Sequence, residues 1–158
     1  MHIPEDIYAQ IVHLMPIPCV DLLVEDLEGR ILLIKRANDP AKGQWWFPGG
    51  RVHYLETRMQ AARRKLKEEC GLEAFQMKEM GTYEVILDMP GDEKQRHGIT
   101  TLFHIMVRKQ GDVILDSQSH DSDWRTPDEW LSETLHFIIK QGITLLSKES
   151  DCNAARRY

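Results

Sequence analysis

The sequence predicts an α/β protein in which a mixed sheet lies between helices. Three observations carry this. Runs that read as β-strands recur from residue 19 to residue 53 and again after residue 74. A helical stretch free of glycine and proline, 57–70, separates the two groups. A second helical region opens at Pro127 and closes the chain. The 158 residues suffice for one ordinary domain with a substantial core, expected to span 1–158 without linker or repeat.

Taken in order, residues 4–14 begin with proline and two acids and read as a short amphipathic helix, with Ile7, Ile11 and Leu14 on one side. Cys19 to Val24 is a strand candidate. Leu27-Glu28-Gly29 turns it into a second strand, Ile31 to Lys35. Arg36 to Phe47 holds Asn38, Pro40 and Gly43 and reads as a loop, leading to a strand around Gly49–His53. Trp45 and Trp46 are assigned to packing in preference to base stacking. Beyond the central helix, Phe75–Met89 and Ile99–Val107 read as long antiparallel strands joined by a polar loop, Pro90 to Arg96, expected to sit near the site and to move. Trp124 is expected to start a short strand, and the helical region after Pro127 is expected to break or kink near Gly142. The last residues, Asp151 to Tyr158, are expected to fray.

Composition excludes several classes. A hydrophobic share of 42% and a charged share of 28% describe a globular chain. A net charge of −5 argues against nucleic acid polymer as partner, so any phosphate would be held by local groups. Cys19, Cys70 and Cys152 show no metal-ligand spacing, and an odd count builds no disulfide framework. No apolar run approaches the roughly 20 residues that span a bilayer, and no signal peptide is evident. A reducing, cytoplasmic setting without membrane contact is the expectation.

The chemistry concentrates between Gly50 and Leu72. Gly71 sits where a helix ends in a left-handed residue. Met59, Ala62, Leu66 and Cys70 form an apolar stripe at helical spacing, while Ala61, Lys65, Glu68 and Glu69 share another face. Adjacent carboxylates are hard-oxygen donors suited to Mg2+ or Mn2+. Such an ion can bridge diphosphate oxygens and neutralise charge on a leaving phosphate. A Glu-Glu pair taken alone reads as a solvated acidic helix end. Pro48-Gly49-Gly50 and Glu56 upstream turn the reading toward a site.

The full spacing, Gly50-x5-Glu56-x7-Arg64-x-Leu66-x-Glu68-Glu69-x-Gly71-Leu72, resembles the Nudix box of hydrolases acting on nucleoside diphosphates linked to another group. The resemblance implies the Nudix fold, an α/β/α sandwich with a mixed central sheet. It implies metal ligation by the Gly49 carbonyl with Glu68 and Glu69. It also implies structural roles for Gly50 and Gly71, and an ion pair of Glu56 with Arg64 that ties loop to helix. One position departs: the family usually places glutamate after the arginine, and here stands Lys65. Two neighbouring glutamates keep that lysine charged, so it is no base; an ion pair with Glu68 or Glu69 is its expected role.

Lys35 to Trp45 and Pro48-Gly49-Gly50-Arg51-Val52 are moreover similar to the GDP-mannose mannosyl hydrolase subfamily. That similarity implies attack of water at the anomeric carbon, release of GDP and sugar, and a histidine base on a later loop. His120, in Ser119-His120-Asp121-Ser122-Asp123-Trp124, matches that base, since histidine titrates near neutrality. By itself it would be an ordinary surface histidine in an acidic loop. Arg51 is expected against the departing diphosphate, Arg36 against phosphate or sugar, and Asp21 against sugar hydroxyls. Tyr8 is expected to stack on the base, supplied across a homodimer. Two features pull toward the general family: both Glu68 and Glu69 are kept, and Ser119 stands where the subfamily has a metal-binding glutamine. The expected function is metal-dependent hydrolysis of a GDP-mannose-like nucleoside diphosphate sugar. The alternatives are a pyrophosphohydrolase attacking phosphorus of a nucleoside di- or triphosphate derivative, and a weakly catalytic nucleotide-binding module.

Overall fold

The computed structural model describes residues 3–91, 95–108 and 119–155. In chain order the elements are α1 (Glu5–Leu14), β1 (Ile17–Glu25), β2 (Ile31–Arg36), β3 (Trp45–Trp46), β4 (Gly49–Arg51), α2 (Arg58–Cys70), β5 (Ala74–Leu87), β6 (Arg96–Val107), β7 (Ser119–Arg125), α3 (Pro127–Ser132) and α4 (Phe137–Ala155). Among the described residues the strands form one sheet in the order β3-β2-β1-β6-β5, with β4 paired to β1 and β7 to β2. Strand β1 runs parallel to β6 and antiparallel to β2 and β4, so the sheet is mixed.

Burial on both faces explains why β1 lacks a simple polar–apolar alternation. Val20 through Val24 are all buried, and successive side chains point to opposite layers. Val20, Leu22 and Val24, with Leu32, Phe103 and Ile105, pack on Ala61, Ala62, Leu66 and Cys70 of α2. Leu23, with Ile31, Leu33 and Leu102, packs on Trp130 of α3 and Ile138, Ile139 and Ile143 of α4. The buried Trp130 indole N–H donates to the Ile31 carbonyl at 2.8 Å and pins α3 to β2. The result is an α/β/α sandwich, the arrangement that the resemblance to the Nudix box implies.

The long-range pairings move several boundaries. Strand β6 begins at Arg96 and not at Ile99, because its ladder with β5 continues to Leu87 opposite Arg96. Residues 92–94 of the expected Pro90–Arg96 loop lie outside the described residues. Trp124 is near the end of β7 and not its start, since β2 offers partners from Ile31 opposite Arg125 back to Arg36 opposite Ser119. The Ser-His-Asp-Ser-Asp run has little strand propensity and is extended by that partner. Trp45 and Trp46 form a short strand on β2 inside the expected loop. In α1 the buried position is Val12, while Ile7 and Leu14 are exposed, because the helix turns Tyr8 and Val12 toward a cavity beside β6. In α2, Met59 is exposed and the buried face instead includes Ala61, Lys65 and Glu69.

Gly142 neither breaks nor kinks a helix; α4 runs through it. A Cβ there would lie 2.9 Å from Cε2 of the buried Phe47 ring, so the glycine permits close packing. Gly142→Ala should lower stability by about 1–2 kcal/mol, overpacking outweighing the gain in helix propensity. Urea denaturation of the two proteins checks this.

Candidate active site

The sequence builds the site from a loop locked to a helix at both ends. The Thr57 hydroxyl accepts from the Gln60 backbone N–H while the Gln60 side chain accepts from the Thr57 N–H, a reciprocal cap that starts α2. Gly71, at φ 68°, ends it in the left-handed conformation. Arg64 grips Glu56 through two bonds, Nε to Oε1 at 2.7 Å and Nη2 to Oε2 at 2.8 Å. The same guanidinium donates to the Arg51 carbonyl at 2.9 Å and to Glu68 Oε2 at 3.0 Å. One arginine thus joins the loop, β4 and the last turn of α2.

The hydrogen bonds from Arg64 hold the Glu56 carboxyl well below its ordinary 4.5, at about 2. A carboxyl that binds its proton less tightly when folded stabilises the fold fully above its unfolded value. That contribution disappears as pH falls from about 4.5 toward 2. Glu56→Gln should therefore flatten the acid limb of the melting-temperature curve across that window, as read by thermal denaturation.

Strand β4 lays its glycines directly on β1, with Gly49 opposite Asp21 and Gly50 opposite Val20. The Gly49 N–H donates to Glu69 Oε2 at 2.9 Å, and a Cβ on Gly50 would lie 3.0 Å from Lys65 Cε. The Lys65 ammonium lies 2.5 Å from Glu69 Oε1 and 3.5 Å from Glu68 Oε2. Glu69 and Lys65 are buried, and Glu68 is half exposed at 48%. This is the donor chemistry of a cation seat, with the lysine ammonium standing in it, so the residues present fit Mg2+ or Mn2+. Among the described residues no group of three or more His, Cys, Asp or Glu side chains is arranged to hold a metal ion by itself. Glu68, Glu69 and the Gly49 backbone would hold such an ion, with oxygens of another source completing its shell.

These groups line a cavity of about 580 Å³ that also receives Arg36, Arg51 and Arg96. Arg36 Nε donates to the Pro40 carbonyl at 2.7 Å, and its guanidinium lies 6.0 Å from the Trp46 ring. Asp21, only 7% exposed, accepts from the Tyr83 hydroxyl at 2.5 Å. Burial pushes its carboxyl from 3.8 up to about 6, with Glu69 adding to the rise and Tyr83 and Arg36 opposing it. Burial likewise pushes the Cys19 thiol up to about 12, which makes it a protonated wall residue and no nucleophile.

Tyr8 lines the cavity of its own chain. Its ring carries the Arg51 guanidinium 4.0 Å from the ring centre, so one face is already covered. The backbone of His120 lies in β7 where the register with β2 shifts between Lys35 and Arg36. The His120 side chain lies outside the described part of the structure. The sequence reading expected the loop ending at Arg96 near the site but gave no role to Arg96, His97 or Tyr83. Arg96 contacts His13 of α1 at 3.2 Å, and the His97 Nε2 has no hydrogen-bond partner among the described residues. No local motif marks these residues. The β5–β6 ladder alone brings them to the box.

The NUDIX domain family matches residues 15–144, and the chain belongs to that family. Low-salt glycan biosynthesis protein Agl8 of Haloferax volcanii is 36% identical over 107 residues, 66% of this chain and 68% of that protein. ADP-ribose pyrophosphatase of Methanocaldococcus jannaschii is 34% identical over 113 residues, 69% of this chain and 64% of that protein. The chain thus spans about two thirds of the length of these relatives. The NUDIX domain of Shewanella oneidensis NrtR, complexed with ADP ribose, superimposes with a TM-score of 0.71 at 20% identity, over 93% of this chain and 99% of that one. That likeness is one of fold. Among the described residues no helix is long and apolar enough to cross a membrane.

Proposed function

We propose that this protein is a Nudix pyrophosphohydrolase that cleaves a nucleoside diphosphate derivative by attack of water at phosphorus, with ADP-ribose the first substrate to test. The observation that carries the reading is that Glu68 and Glu69, the latter bonded to the Gly49 N–H, line the same cavity as Arg36, Arg51 and Arg96. Arg36, Arg51 and Arg96 supply planar N–H donors for the diphosphate oxygens, which the net charge of the chain would otherwise repel. A divalent ion, when bound, adds neutralisation of the charge that builds on the leaving phosphate. Glu68, the more exposed carboxylate, would orient water, and Trp46 and Phe47 supply apolar wall. ADP-ribose is favoured because one relative's name and one fold neighbour's bound ligand both contain it.

The test is hydrolysis of ADP-ribose and GDP-mannose with Mg2+ in ¹⁸O-labelled water, followed by mass analysis of the products. Label in a nucleotide or sugar phosphate product supports attack at phosphorus. Label in free mannose with unlabelled GDP replaces that reading with substitution at carbon. That second reading is favoured by Lys65 in place of the box glutamate, and in it His120→Ala should slow turnover by about 10²-fold or more. Recovery of tightly bound, unchanged nucleotide would sink both and leave a binding module.

A further inference from the structure

Lys65 occupies an unusual place for a charged side chain. It is 6% exposed, its stem lies under Gly50, and its ammonium sits between the two carboxylates expected to hold a divalent ion. Both oxygens of Glu69 are engaged, Oε1 by this ammonium and Oε2 by the Gly49 N–H. A metal ion entering here meets a pair already engaged by cations of the same helix, Lys65 on both carboxylates and Arg64 on Glu68. Two cations cannot share the seat at this spacing, because their repulsion is strongest where water is excluded.

We propose that Lys65 is a tethered competitor of the divalent ion: its ammonium holds the Glu68–Glu69 pair in the metal-free protein and must be displaced for an ion to bind. The inference rests on the hydrolase reading only for the identity of the ion's seat. Its consequence is that the protein takes up metal weakly by itself, and that residue 65, not the number of carboxylates, sets the affinity. The stem of Lys65 is confined by the backbone of β4, so displacement requires that strand or the lysine to move. The carboxylates released from the lysine then become ligands.

The test is direct binding of Mn2+ to the full chain, read by the loss of the free-ion electron paramagnetic resonance signal. Lys65→Met, similar in length and uncharged, should bind Mn2+ at least about tenfold more tightly than the native chain. Equal affinities would overturn the proposal. Since Lys65→Met leaves the buried Glu69 without its counter-charge and could fold poorly, a second measurement uses the native chain. In protein carrying ¹³Cε-labelled lysine, the Lys65 resonance, assigned by its absence in Lys65→Arg, should shift as Mg2+ saturates the site. Saturation by calorimetry with an unmoved Lys65 resonance would overturn the proposal as well. Neither readout involves turnover. A chain that hydrolyses ADP-ribose but binds Mn2+ equally in both forms loses this inference alone. Tighter binding by Lys65→Met with no hydrolysis supports the inference and removes the hydrolase reading.

Discussion

Glu69→Gln is expected to lower turnover by about 10²-fold or more. It is also expected to destabilise the fold by about 3 kcal/mol, the scale for breaking a buried charge pair. Two separate losses produce this. Glutamine can still accept from the Gly49 N–H through its oxygen, but its amide nitrogen then faces the Lys65 ammonium, where Glu69 Oε1 now lies at 2.5 Å. A donor replaces an acceptor in a pocket with almost no access to water, and Glu68, at 3.5 Å, is left as the partner of the lysine. The charge that would hold a divalent ion is lost in the same step. Rates at saturating Mg2+ and urea midpoints, measured on one preparation, separate the two effects. A variant with native stability and native rate would remove Glu69 from both roles.

The second large effect is expected from Gly49→Ala. A Cβ at this position would lie 2.3 Å from the Val20 carbonyl oxygen and 2.7 Å from Asp21 Oδ1. Neither neighbour can yield easily: Val20 is fully buried in β1, and Asp21 is held by Tyr83. Strand β4 would have to leave β1, and with it the Gly49–Glu69 hydrogen bond and the seat of the expected metal. A loss of about 3 kcal/mol or more and of nearly all activity follows, since strain of this kind exceeds ordinary overpacking. Denaturation and turnover assays check it. Gly43→Ala is an informative contrast, because nothing lies within 4 Å of a Cβ there, although φ is +78°. Its cost is expected to be the backbone term alone, about 1 kcal/mol.

The two substitutions mark the boundary between local and distant information. That Gly71 ends a helix and that Glu68 and Glu69 lie near Lys65 follow from helical spacing within one stretch, and that Glu56 meets Arg64 was implied by the resemblance to the box. Those parts of the site were legible, and the apolar stripe of α2 was legible but for Met59 and Ala61. Helical geometry gives the faces; which face is buried depends on the sheet underneath. The burial of Lys65 and Glu69 was not legible for the same reason. Charged residues on a helix ordinarily face water, and only β4 crossing above them with two side-chain-free residues encloses them.

Other contributors lie far away in the chain. Arg96 and His97 read as a loop and the approach to a strand; the β5–β6 ladder, with Ile86 opposite His97, carries them to the cavity. Asp21 was singled out, but its burial and its bond to Tyr83 depend on pairings 62 residues apart. Gly142 looks like a helix breaker in one dimension and is a packing contact in three. By itself, the sequence determined the α/β class, the positions of the main helices, the box and the family it resembles, because these rest on spacing within a few turns of chain. The tertiary structure alone decided which charges are buried, which arginines converge and which cation stands between Glu68 and Glu69. Those depend on desolvation and on contacts between segments that no local period encodes.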